Sequence, residues 1–128
     1  MLHARRYKDI AQTTASPERL MVLLLRAALS SMEIVHAGFC KPGVLPAKKV
    51  SGALVKAQDI VFELQATLDQ RRAPALCAAL DDVYAFVSWR LIKARKTRDP
   101  VDIAAAIRCF SPIVHAFETA VGGSDAGR

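Results

Sequence analysis

The chain has 128 residues, of which 52% are hydrophobic, and a formal net charge of +6. This length and composition can build one domain with its own core. The cysteines Cys40, Cys77 and Cys109 are odd in number and form no Cys-x-x-Cys pair, so neither a disulfide framework nor a zinc site is indicated. No uninterrupted apolar run approaches the ~18 residues of a membrane span. We therefore expect a cytoplasmic protein without direct membrane insertion.

The first helix is predicted over residues 17–39. Ser16 can cap it, Pro17 suits its first position, and Glu18 complements the positive end of the helix dipole. From Leu20 to Leu29, nine of ten residues are apolar and only Arg26 interrupts. This surface is wider than the stripe of roughly 100° that packs against a core. The helix is therefore expected to be central or to bind a partner.

The second helix is predicted over residues 47–70, after a loop marked by two prolines and a glycine between residues 40 and 47. Its apolar residues recur at spacings of three and four and share one face. They are Val50, Leu54, Ala57, Val61, Leu64 and Leu68. Arg71 and Arg72 are predicted at its C-terminal end, where cations suit the dipole.

The third and fourth helices show the same periodicity. Pro74 can open the third, which is predicted to end near Thr97, and Asp99 and Pro100 begin the fourth. The repeating apolar residues are Leu76, Leu80, Val83, Val87, Leu91 and Ala94, then Ile103, Ile107, Phe110, Val114, Phe117 and Val121. Pro112 lies inside the fourth helix and is expected to bend or split it.

Four helices with mostly short connections predict an all-α fold, an antiparallel up-and-down four-helix bundle over residues 16–121. Residues 1–15 are predicted to form a flexible N-terminal arm, and residues 122–128 a disordered tail. The arm contains two apolar side chains, Tyr7 and Ile10, which we expect to fold back onto the bundle.

Three blocks of sequence resemble a known family. Tyr7 precedes TASPERL at residues 14–20; LVKAQDIVFEL at residues 54–64 is followed by Leu68 and Asp69; and Leu80, Tyr84, Arg90, Leu91 and Ala94 form the third block. Together they resemble the flagellin-specific export chaperone family, FliS, over residues 7–121. At residues 25–27 the chain has Leu-Arg-Ala, where that family usually has Tyr, an acidic or amide residue, and Gly.

The resemblance implies a cytoplasmic four-helix bundle that binds the disordered C-terminal segment of flagellin and prevents premature polymerisation. It also implies delivery to the flagellar type III export apparatus, with the export gate as a further partner. A helical apolar segment requires a complementary groove. We expect the partner-binding residues to be Tyr7, Ile10, Leu20, Leu24, Leu54, Ala57, Gln58, Val61, Tyr84 and Trp89. Tyr7 and Ile10 would occupy part of the groove until the partner arrives, and the chaperone would be a monomer or weak homodimer.

Tyr84 and Trp89 are five positions apart and do not share a helix face. At least one of them is therefore expected to lie away from the main apolar stripe of the third helix. In most bundles both residues would lie at the edge of the core, whereas in a chaperone either could line the groove.

A metal site or an enzyme is not expected. Glu33 and His36 have the Glu-x-x-His spacing of di-iron bundles, but such sites need a second motif and further carboxylates. His115 and Glu118 run in the reverse order. No nucleophile motif or Gly-rich phosphate loop is recognisable. We therefore expect no catalytic residues, no metal and no cofactor; a metal carrier would instead retain stoichiometric metal after purification.

Basic residues form two clusters, and these leave one alternative function open. The clusters are Arg5, Arg6 and Lys8, and Arg90, Lys93, Arg95, Lys96 and Arg98. Phosphate contacts from such clusters would give strongly salt-dependent binding. The second cluster also suits the negative end of the third helix, and no recognised nucleic-acid motif accompanies it. We expect no nucleic-acid partner, with a basic helical regulatory or nucleic-acid-binding module as the alternative.

Overall fold

The computed structural model describes residues 16–126, with side chains as far as residue 122. It contains α1 (Pro17–Cys40), α2 (Ala47–Ala66), α3 (Pro74–Thr97) and α4 (Pro100–Ala126), and no strand occurs in this part of the chain. The predicted all-α bundle is confirmed. Tyr7 and Ile10 lie outside the described residues. α4 extends to Ala126 and so overlaps the tail predicted over residues 122–128. The disorder of that tail stays a prediction.

The four helices form a closed ring in which each packs against two others. α1 contacts α2 and α4, and α3 contacts the same two helices. Contacts join the end of one helix to the beginning of the next, as in antiparallel neighbours. Gly38 of α1, for example, lies against Val50 of α2, and a Cβ at Gly38 would overlap that side chain. The missing side chain therefore allows α1 and α2 to approach closely.

Local hydrogen bonds explain where helices begin and end. Ser16 Oγ accepts from the Arg19 amide at 3.3 Å, and Asp99 Oδ1 accepts from the Val101 amide at 2.9 Å. Both are side-chain caps of a helix N-terminus. Arg98 has φ of +55°, the left-handed conformation that commonly follows the last turn of a helix.

The prediction that the second helix reaches residue 70 is wrong, because α2 ends at Ala66. Asp69 instead accepts a hydrogen bond from the Arg71 amide at 3.1 Å and forms a local turn. Short polar side chains compete with helical hydrogen bonding in this way. Arg71 and Arg72 therefore lie in the connection to α3 and not at a helix end.

α1 contributes a large share of the bundle core. Eight of its residues are buried, including Leu25, Met32 and Val35, which have no exposed surface. The largest fully buried side chains of the bundle are Tyr84, Phe110, Leu25, Met32, Ile60, Leu64, Leu91 and Ile103. Most of the apolar run that the sequence shows in α1 therefore builds the core.

Pro112 does not split the fourth helix, which is continuous from Pro100 to Ala126. The proline lies at an exposed position. Proline cannot donate to the carbonyl four residues earlier, which here belongs to Arg108, itself an exposed residue. Water can bond to that carbonyl, so the loss of one helical hydrogen bond is tolerated.

α1 and the Pro100–Gly122 part of α4 are long and apolar enough, by length and composition alone, to cross a membrane. The core helices of soluble proteins pass the same test. Because α1 supplies much of the bundle core, its apolar character has a structural explanation.

Candidate partner-binding surface

Five of the ten predicted partner-binding residues lie in the bundle core. Leu24, Leu54, Ala57, Val61 and Tyr84 are each at most 5% exposed. A partner would reach Leu24, Ala57, Val61 and Tyr84 only if the helices moved apart, so the closed bundle does not display these four as a groove. Leu54 lies at the wall of a cavity at one end of the bundle. The role of these five residues in binding stays a prediction.

The other predicted residues have different surroundings. Leu20 and Gln58 are half-buried, whereas Trp89 is 54% exposed. Tyr84 is 1% exposed, with its ring centroid 6.3 Å from that of Phe110, and burial raises the pKa of Tyr84 to about 12. The prediction that Tyr84 or Trp89 lies away from the main stripe is confirmed. Tyr84 belongs to the core, and Trp89 belongs to the surface.

Besides Leu76 in the first turn of α3, four large apolar side chains are exposed on the neighbouring helices α2 and α3. Phe62 is 55% exposed, Phe86 38%, Trp89 54% and Ile92 52%. On α3 they recur every third residue, so they follow one strip on the side away from buried Tyr84, Val87 and Leu91. We call these four residues the outer apolar surface. Groups of large exposed apolar residues commonly mark interaction sites.

Three members of the outer apolar surface were not among the predicted residues. Phe62 follows buried Val61, and Ile92 follows buried Leu91. Each therefore lies beside the three-and-four stripe that indicates a core. A large apolar residue outside that stripe is the signal that could have found them.

Two cations lie against the aromatic members of this surface. The Arg90 guanidinium is 5.4 Å from the Phe86 ring centroid and 5.3 Å from that of Trp89. Lys93 Nζ lies 5.3 Å from the Trp89 centroid. Cation–π contacts at such distances are attractive. The surface therefore combines apolar rings with positive charge.

Asp102 of α4 fixes the position of Arg90. Arg90 Nη1 donates to Asp102 Oδ1 at 2.7 Å, and Thr97 Oγ1 donates to Oδ2 at 3.0 Å. Burial would raise the pKa of Asp102, but these hydrogen bonds and the charges of Lys93 and Arg90 hold that pKa below its ordinary value. The carboxylate therefore stays ionised and ties the cation of the outer apolar surface to α4.

The structure provides no metal centre within residues 16–122. No group of three or more His, Cys, Asp or Glu side chains is placed there to hold an ion. His36 Nε2 instead lies 3.6 Å from the exposed thiol of Cys40. Within residues 16–122, no further carboxylate or histidine joins Glu33 and His36 to form a di-iron site.

A family model described as flagellar protein FliS matches residues 1–124. The chain belongs to the FliS family. A comparison with curated proteins found no match. Membership of the FliS family makes this a flagellar protein of a soluble chaperone family whose members interact with flagellar proteins.

The departure from the usual FliS sequence at residues 25–27 has a structural counterpart. Arg26 Nε donates to Glu118 Oε2 at 2.9 Å, and Nη2 donates to Oε1 at 2.7 Å. The hydrogen bonds to Glu118 raise the pKa of Arg26, and those from Arg26 lower the pKa of Glu118. Arg26, the one charged residue in the apolar run of α1, therefore forms a bidentate salt bridge that joins α1 to α4.

Proposed function

We propose that this FliS-family protein is a cytoplasmic export chaperone that binds the disordered C-terminal helical segment of flagellin. Binding would prevent premature polymerisation, and the complex would be delivered to the export gate of the flagellar type III apparatus. The observation that carries the proposal is the outer apolar surface, present in a chain that belongs to the FliS family. No catalytic role is proposed.

The outer apolar surface suits a helical partner for a geometric reason. An amphipathic helix presents apolar anchors at spacings of three and four residues, and it binds along a surface with matching apolar positions. Phe86, Trp89 and Ile92 extend over two turns of α3, and Phe62 adds a ring on α2. A flagellin segment that orders on binding gives up ~2–5 kcal/mol of the contact energy. Several large anchors are therefore needed.

The N-terminal arm would regulate access to this surface. Tyr7 and Ile10 are apolar residues in a segment directly before α1. We propose that they cover part of the binding surface in the unbound chaperone and leave when flagellin arrives. Covering an apolar patch reduces self-association. Deletion of residues 1–14 should therefore leave the helical circular-dichroism signal intact and increase the binding of a hydrophobic dye.

Calorimetric titration with a C-terminal flagellin peptide from the same cell tests the proposal. We expect one-to-one binding with a negative heat-capacity change and little dependence on salt, since apolar burial dominates. Trp89→Ala and Phe62→Ala should weaken binding. Val101→Ala is the matched control, because Val101 is 62% exposed but lies at the beginning of α4.

Two results would contradict the proposal. Absence of binding at either salt concentration would mean that another partner uses the fold. Binding that is lost on addition of salt and is unchanged in Trp89→Ala and Phe62→Ala would favour the basic regulatory or nucleic-acid-binding alternative.

A further inference from the structure

A cavity of about 280 Å³ opens at the end of the bundle where α1 finishes, α2 begins and α3 finishes. Phe39, Val50, Leu54 and Val55 form its apolar walls. A second cavity of about 180 Å³ shares Phe39 and Val50 with it, so the two adjoin. An apolar cavity of ~150 Å³ is large enough for benzene. One aliphatic or aromatic side chain from outside would therefore fit the larger cavity.

Two arginines line this cavity beside its apolar walls. Arg95 and Arg98 are both exposed, and neither is paired with a carboxylate among the described residues. The nearest acidic residues in the chain are already engaged: Asp99 caps α4, and Asp102 accepts hydrogen bonds from Arg90 and Thr97. The guanidinium groups are therefore available to an anion from another molecule.

The wider surroundings are also positive. Further exposed cations at this end of the bundle are Lys41, Lys48, Lys49 and Lys96. Such a charge distribution attracts an acidic partner and repels a basic one. Arginine is well suited to this role because its planar guanidinium binds a carboxylate through two parallel hydrogen bonds.

Charge argues against the protein's own N-terminal arm as the occupant. The arm carries Arg5, Arg6 and Lys8, which would be repelled by the arginines of the cavity. It also joins α1 at Ser16, whereas the cavity lies at the other end of that 24-residue helix, about 36 Å away. The occupant is therefore expected to come from another protein.

We propose that this cavity binds an acidic peptide segment of a partner protein. One aliphatic or aromatic side chain of the segment enters the cavity, and a neighbouring acidic side chain pairs with Arg95 and Arg98. The site shares no residue with the outer apolar surface, and Leu54 is the one residue of its lining that is also predicted to bind flagellin. The site would allow the chaperone to hold a second partner at the basic end of the bundle.

Selection from a phage-displayed library of random dodecapeptides on the full-length protein tests this site. We expect selected peptides to contain several Asp or Glu residues beside a Leu, Ile or Phe. Selection of no peptides, or of peptides without this acidic and apolar pattern, would overturn the proposal. Binding of an oligonucleotide or anionic vesicle that requires Arg95 and Arg98, without any selected peptide, would replace it with a phosphate-binding site.

Variants then locate the bound peptide by fluorescence anisotropy. Arg95→Gln and Arg98→Gln should each weaken binding of the selected peptide about five- to tenfold, which lies in the range of one ordinary net hydrogen bond, since both arginines are exposed. Arg108→Gln is the control, because it removes the same charge from an exposed position of α4 that does not line the cavity. An equal loss in Arg108→Gln would show non-specific charge attraction and overturn the proposal.

Ala47→Phe tests the apolar part of the site. Ala47 is exposed, begins α2 and lines both cavities, so a phenylalanine there would fill the space without entering the core. We expect loss of peptide binding with an unchanged helical signal and a cooperative melt. Retained peptide affinity would contradict insertion of a side chain. Unchanged flagellin-peptide affinity in Ala47→Phe and Arg95→Gln would separate this site from the proposed function.

Discussion

Leu91 and Ile92 are adjacent residues of the same size, and α3 places them in opposite environments. Leu91 has no exposed surface, whereas Ile92 is 52% exposed. Leu91→Ala leaves a cavity in the core and should cost about 2–5 kcal/mol of the free energy of unfolding. Ile92→Ala should cost at most about 1 kcal/mol, since only half of the side chain is buried and alanine favours a helix.

These costs translate into separable thermal shifts. For a domain of this size, 1 kcal/mol corresponds to about 3–5 °C in Tm. Leu91→Ala should therefore lower Tm by about 6–25 °C and Ile92→Ala by at most about 5 °C, measured by circular dichroism. Affinity for the flagellin peptide should instead be reduced more by Ile92→Ala than by Leu91→Ala, and Ile92→Ala should weaken binding about fivefold. Equal destabilisation by the two variants, or unchanged affinity in Ile92→Ala, would refute the division between core and binding surface.

Three further predictions concern helix contacts. A double-mutant cycle of Arg26→Gln and Glu118→Gln, measured by urea unfolding, should give a coupling energy of about 0.5–1 kcal/mol. Added salt should reduce this coupling energy, because both side chains are partly exposed. A coupling energy of zero at low salt would show that the ion pair does not stabilise the packing of α1 against α4. The pKa of Asp102 is lower in the folded state than in the unfolded state. The ionised Asp102 therefore stabilises the folded protein above the ordinary carboxyl pKa, and this stabilisation is lost as pH falls through the pKa of the folded state. Asp102→Asn should therefore flatten the acid side of the stability profile, and an unchanged slope would contradict this. Gly38→Ala should lower Tm because its Cβ overlaps Val50, and a Tm equal to wild type would show that α1 and α2 separate easily.

The spacing of apolar residues predicts most of the bundle but not its surface. Positions such as Leu54 and Val61 follow the three-and-four stripe, and the stripe indicates the core in which they lie. The partner-binding residues that were predicted on the same stripe are therefore mostly buried. Within residues 20–25 of α1, apolar residues cover every direction, so spacing alone does not show which side faces the core.

Other features depend on contacts that no local pattern contains. Arg26 lies 92 positions from Glu118, and only the packing of α1 against α4 brings the two together. The same kind of tertiary information brings Arg95 of α3 to a cavity walled by residues of α1 and α2.

The charges around the outer apolar surface oppose association between two copies of the protein. Trp89 is exposed, but Lys93 and the anchored Arg90 lie against its ring. Two copies that met through this surface would bring these cations together, and like charges at an interface oppose association. An apolar helix of a partner meets no such penalty if its flanking residues are neutral or acidic. The cations therefore favour a different chain over self-association, so Lys93→Gln, which removes one of these charges without placing an anion beside Asp102, should increase dimerisation in sedimentation experiments.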